Sequence, residues 1–187
     1  MPKQKVDEAH IIKESLKLLR QKSYHTTSMA DIANACGLLK GSLYHYFDSK
    51  EELMRKVILS VHDYFRNEVF VHAYDESLSA ESRLQTLINK SEAIFIDEEN
   101  GCIMGNVGVE TALAIPEFAS LIQSFFRDFF DAIKNVYRDK YPEDIADELA
   151  ERSVAEVEGA LMLARIFNDQ QYLKKTHKRI LNRLKTD

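Results

Sequence analysis

Between residues 26 and 53 the chain reads TTSMADIANACGLLKGSLYHYFDSKEEL, a stretch crowded with cations, hydroxyls and small residues. Lys40, Gly41 and Ser42 set a cation, a bare backbone and a hydroxyl side by side, and Tyr44 and His45 follow one turn later. On one side of a short helix such groups suit a polyanion that also offers hydrogen-bonding edges, the major groove of double-stranded DNA. A lysine can read guanine O6 and N7, and a leucine can meet a thymine methyl. Lys40, Ser42 and Leu39 are therefore the candidate base-edge contacts, with Gly41 allowing a close backbone approach. Thr27, Ser28, Tyr44, His45 and Lys50 are the candidate phosphate contacts, which position a protein without reading sequence.

Two short helices must hold these groups. Ser28 and Asp31 form an S-x-x-D start for a helix over residues 29–36, whose Ala30, Ile32 and Ala33 let a second helix cross closely. Gly37 supplies the left-handed residue that ends it. Leu38 and Leu43 point inward, and Tyr46 and Phe47 are expected in the core. Ser49 and Glu52 form a capping box for a longer helix, with Lys50 in its first turn. Helix, glycine turn, helix is the arrangement in which the second helix enters a major groove.

The run GLLKGSLYHYFDSKEEL resembles the DNA-binding signature of the TetR family of transcriptional regulators in the order and spacing of its residues. The likeness covers roughly residues 6–66. It implies an all-helical dimer whose first three helices bind DNA, while the remainder binds a small molecule and a second subunit.

The rest of the chain also reads as helix. Val6, Ala9, Ile12, Leu16 and Leu19 recur at three- and four-residue steps. Later segments cover residues 49–69, 82–97, 102–114, 116–139, 143–167 and 170–184, with a polar break at 72–80 and a turn at 98–101. No segment alternates as a strand does. The expected fold is all-α, with about nine helices. A helix-turn-helix domain occupies residues 1–48, and a ligand-binding and dimerisation domain occupies 49–187, the helix from Ser49 linking the two.

Charge follows the same division. Residues 1–66 hold 11 Lys/Arg against 8 Asp/Glu, whereas residues 67–187 hold 14 against 22. Phosphate is thus directed to the N-terminal part. No apolar run reaches the ~18 residues of a membrane span, and the polar residues 1–5 carry no signal-peptide pattern. A cytoplasmic protein without a membrane partner is expected. No nucleophile–base pair, metal-ligand spacing or phosphate-cradling glycine loop appears, so neither an enzyme nor a metal or other cofactor is expected.

Three surfaces remain. Leu87, Ser91, Phe95, Met104, Val107, Thr111, Phe125 and Phe129, with Arg165 nearby, are candidate linings of a pocket for an apolar or aromatic effector. The same aromatic spacing also describes plain core. Val154, Val157, Gly159, Leu161, Leu163, Ile180 and Leu184 give the last two helices a broad apolar face. The resemblance implies that two copies join there as a four-helix bundle, and two reading helices on an inverted repeat are also what a helix-turn-helix needs. Finally, Cys102 follows a glycine at a helix start, where a thiol can ionise more readily. A redox- or electrophile-sensing repressor is therefore the alternative to one released by a small molecule. Cys36 is read as helix packing.

Overall fold

The computed structural model describes residues 6–97 and 101–185, and all regular structure among them is helical. Asp7 accepts the His10 N–H at 2.8 Å and starts α1 (Glu8–Gln21), which buries Ile11, Ser15 and Leu19 at four-residue steps. A complete capping box opens α2 (Met29–Ala35): the Ser28 hydroxyl accepts the Asp31 N–H, and the Asp31 carboxylate accepts the Ser28 N–H. Bonds from Ser28, its hydroxyl foremost, hold the Asp31 pKa down to about 2. Gly37 has φ +66°, a conformation that strains any other residue, and the chain turns there into α3 (Lys40–Leu43). The tail that precedes Val6, where the chain was expected to enter its first helix, lies outside the described residues.

The Ser49 hydroxyl accepts the Glu52 N–H at 3.0 Å and caps α4 (Lys50–Glu68). Nineteen residues make this helix about 28 Å long. It buries Leu53, Met54, Val57 and Ile58 in its first half and Val61, His62 and Phe65 in its second. It packs against α1 as well as against the body. A boundary at residue 49 thus falls on the cap of a helix that both regions share.

The body comprises α5 (Ala80–Asp97), α6 (Ile103–Thr111), α7 (Pro116–Tyr137), α8 (Glu143–Phe167) and α9 (Gln171–Lys185). Helix α7 lies at its centre and touches α4, α5, α6 and α8. Its buried face runs Phe118, Ile122, Phe125, Phe129, Ile133 and Val136, the spacing of one helical side. The expected polar break contains a 3-10 turn (Phe70–Tyr74) that buries Phe70 and Ala73. That turn is fixed from both sides, since the Arg83 guanidinium and the Asn135 amide donate to the Ala73 carbonyl at 2.9 and 3.0 Å. Helix α6 is shorter than its apolar composition suggests: the N–H groups of Ala114 and Ile115 fold back onto the Thr111 carbonyl just before Pro116. Asn168, at φ +50°, ends α8. Of the expected turn at 98–101 only Gly101 is described, at φ +71°. No helix among the described residues is long and apolar enough to cross a membrane.

Candidate nucleic-acid interface

Helix α3 is held from below and open above. Leu43 and Phe47 are buried and anchor it. On the outer side Leu39 is 80% exposed and Tyr44 44% exposed. Lys40, Gly41 and His45 are exposed as well, and Ser42 is half-buried. No other described residue hydrogen-bonds or ion-pairs with the side chains of Lys40, Ser42, Tyr44 or His45. Leaving Leu39 in water forgoes about 1.5–3 kcal/mol of burial, which contact with a thymine methyl could recover. Tyr46, expected in the core, is instead 40% exposed, and its hydroxyl donates to the Val6 carbonyl at 3.0 Å. It fastens the entry of α1 to the far end of the reading unit.

The phosphate candidates divide. Tyr44 and His45 are free to reach outward, and Ser28 is exposed, although its hydroxyl is engaged with Asp31 at 2.5 Å. Thr27 is buried with its hydroxyl donating to the Ser23 carbonyl at 2.8 Å, so it does not face a phosphate. Lys50 also turns inward. Its ammonium donates to the carbonyls of Tyr24 at 2.8 Å and Thr27 at 2.9 Å and lies 4.0 Å from the centre of the Tyr24 ring. Carbonyls and a ring face are the partners a desolvated ammonium needs.

Tyr24 is the hub of this inner cluster, and it was not among the expected site residues. Its hydroxyl donates to Glu51 at 3.1 Å, and its ring meets the edge of Phe118 at the start of α7. Burial, then the Glu51 carboxylate, push its phenol pKa up. From α6, Glu110 accepts the backbone N–H groups of Tyr24 at 2.9 Å and His25 at 2.7 Å, one on each carboxylate oxygen. Burial works against the Glu110 charge, but the His25 and Tyr24 N–H groups outweigh it and lower its pKa. One signal for Glu110 exists in the sequence. An acid in the last turn of a helix opposes the helix dipole and therefore needs donors from elsewhere.

The candidate effector residues do not meet in one cavity. Leu87, Ser91 and Phe129 line a space of about 30 Å³ with His177, enough for about one water. Phe95 and Phe125 belong to a cluster of rings in which Phe65 and Phe125 lie 5.3 Å apart and Phe70 stacks on Phe129 at 5.3 Å. Met104 and Thr111 are buried, the Thr111 hydroxyl donating to the Val107 carbonyl at 2.7 Å. Val107 and Arg165 instead line a cleft of about 560 Å³ between the end of α1, α6 and α8, within the size range of small-molecule sites, roughly 300–1,000 Å³.

The comparisons with known proteins agree with this geometry. The sequence pattern of bacterial regulatory proteins of the tetR family matches residues 11–57. The pattern of the LmrA/YxaF-like transcriptional regulator C-terminal domain matches residues 80–179, more than half of the chain. The chain belongs to the TetR family. The HTH-type transcriptional regulator Rv0196 of Mycobacterium tuberculosis is 28% identical over 176 residues, 89% of this chain and 88% of that protein. IcaR of Staphylococcus aureus, the HTH-type negative transcriptional regulator of the biofilm operon icaADBC, is 32% identical over 89 residues, 48% of this chain and 46% of that protein. The crystal structure of a TetR transcriptional regulator from Legionella pneumophila superposes with a TM-score of 0.84 at 25% identity, covering 94% of this chain and 96% of that one.

In this TetR-family regulator the expected dimer residues are also split. Val154, Val157, Leu161 and Ile180 are buried within their own chain, and Gly159, Leu163 and Leu184 are half-buried. The outer side of α8 instead presents Met162 at 57% and Ile166 at 65% exposure, with Phe167 beyond them. Cys102 does not have the environment of a reactive thiol. It is buried, and burial first, the Glu158 carboxyl second, push its pKa well up. Its sulfur accepts the Gly105 N–H at 3.3 Å and caps α6. Cys36 is buried against the core.

Proposed function

We propose that this regulator is a ligand-responsive repressor, a homodimer that sets two α3 helices into successive major grooves of an inverted repeat and leaves the DNA when a small molecule binds. The observation that carries the reading is the contrast on the head itself: Leu39, Lys40 and Tyr44 are left open on α3, while the groups just behind them are engaged. Repression is favoured by the 32% identity with a protein described as a negative regulator, over a segment of 89 residues. Dimerisation is favoured by the exposed Met162 and Ile166 on α8.

Release follows from how head and body are joined. Glu110 of α6 grips the turn before α2 through two N–H groups, and α4 crosses from head to body. A ligand that shifts α6 relative to α8 re-aims both reading helices against a fixed operator spacing. A coupling of roughly 1–3 kcal/mol loosens DNA binding about 5- to 150-fold, provided the ligand binds the two arrangements unequally.

Selection of bound duplexes from fragmented source DNA at two salt concentrations tests this reading. The expected product is an inverted repeat that persists at the higher salt. Binding that enriches no sequence and disappears as salt rises would reduce α3 to non-specific phosphate contact.

A further inference from the structure

The cleft between α1, α6 and α8 carries one group that its own chain leaves unsatisfied. Glu158 projects from α8 into its wall, and its Oε1 atom is sealed from solvent with no hydrogen-bond partner among the described residues. The other oxygen lies against Gly105, where a side-chain carbon would stand only 2.5 Å away. Glycine at 105 is thus what allows a carboxyl in this position. A buried acceptor without a donor is costly, more so when the group is charged, and such a cost suits a site completed by something else. Around the carboxyl the cleft offers Leu19, Val107 and Leu161 as apolar surface, leaving the exposed Met162 at its edge to the dimer face.

The geometry points to Glu158 as the receptor for the ammonium group of an amine with an apolar body, bound where the end of α1 meets α6 and α8. This names the class of effector for the regulator proposed above and rests on that reading. The charges around the cleft orient such a ligand. Lys22 at the α1 edge is paired with Asp31 at 3.3 Å, and Glu110 is spent on the Tyr24 and His25 N–H groups. Arg165 is seven residues beyond Glu158, about 10 Å along α8, and has no ion-pair partner among the described residues. The Glu158 end is therefore the one that attracts a cation. Cys102, whose thiol hydrogen-bonds to Glu158, is a titratable neighbour among the described residues, and the Arg20 guanidinium of α1 lies within electrostatic reach of Cys102. An occupant would touch Leu19 and Ser23 of the head as well as Gly105 and Val109 of α6, so its binding acts on the joint that aims α3.

Burial raises the Glu158 pKa to about 7, which adds a second readout. The carboxyl must give up its proton to pair with an ammonium. Affinity should therefore rise about tenfold per pH unit below 7 and level off above it.

Calorimetric titration of the full chain with hexylamine, phenethylamine and tryptamine, each against its matching alcohol, tests the site. The expected result is at least one amine bound tenfold or more tightly than its alcohol at pH 8. That preference should disappear in Glu158→Gln, which keeps the shape of the neutral acid, and persist in Arg165→Gln. Equal binding of every pair, or a preference that survives Glu158→Gln, overturns the proposal. An amine that binds through Glu158 yet leaves the DNA complex intact would support the site and refute ligand release, so the two failures are distinct.

Discussion

Lys40 and Lys50 stand ten residues apart, each in the first turn of a helix, and the fold uses them in opposite ways. Lys40 is exposed, with its ammonium available to a partner from outside. Lys50 is consumed by two carbonyls and a ring. A cation near a helix start is therefore not by itself a phosphate contact; what decides is whether the chain brings acceptors to it from elsewhere. Two acids of the cleft repeat the lesson. Glu110 holds two backbone N–H groups and is stabilised as an anion, whereas Glu158 has an oxygen with no partner and is held towards the neutral form.

The largest effect expected from this contrast is that of Lys50→Met. It strips a charged donor from two carbonyls behind the head and should cost about 2–3 kcal/mol, lowering Tm by roughly 5–10 °C for a chain of this size. Thermal unfolding followed by circular dichroism checks this. DNA of any sequence should be bound more weakly, because the shape of the head is disturbed. A Tm equal to that of the wild type would return Lys50 to the phosphate contacts.

Comparable in size is the pH dependence set by Glu158. An acid whose folded pKa is raised from 4.5 to about 7 binds more protons folded than unfolded across that interval. Stability should then decline as pH rises through it, by roughly 3 kcal/mol, and flatten above pH 7. Subtracting the Tm–pH curve of Glu158→Gln from that of the wild type isolates this contribution. Parallel curves would mean that the carboxyl is satisfied in solution.

The smallest effect on the fold belongs to Lys40→Ala, an exposed side chain without a partner among the described residues. Its Tm should stay within about 1–2 °C of the wild type, since such surface changes are usually worth less than 0.5 kcal/mol. A larger drop would show that Lys40, like Lys50, holds structure.

What the sequence revealed, and what it concealed, follows from distance along the chain. The capping of α2 by Ser28, the left-handed Gly37 and the buried Leu43 and Phe47 are set by neighbours within a few residues, and the helix-turn-helix was legible for that reason. Tyr24 was not, because its partners Lys50 and Glu110 stand 26 and 86 residues away. The aromatic stripe of α7 could equally have faced a cavity or other rings; Phe65 and Phe70, from α4 and the 3-10 turn, fill the space before it. Helix α8 is apolar on more than one side, so its composition could not say that Val154, Val157 and Leu161 face inward while Met162 and Ile166 face out. Glu158 gave no local signal at all. Its significance depends on the absence of a partner, which only the folded chain displays.

The central claim is that α3 reads sequence through side chains held ready by the cluster behind it. The most direct test is the affinity of wild type and Lys40→Ala for a selected duplex and for a scrambled duplex at one salt concentration. Loss of a base-edge contact worth about 1–3 kcal/mol should weaken the selected duplex roughly 5- to 150-fold and the scrambled duplex far less. Equal losses on both duplexes would contradict the claim and make Lys40 a phosphate contact.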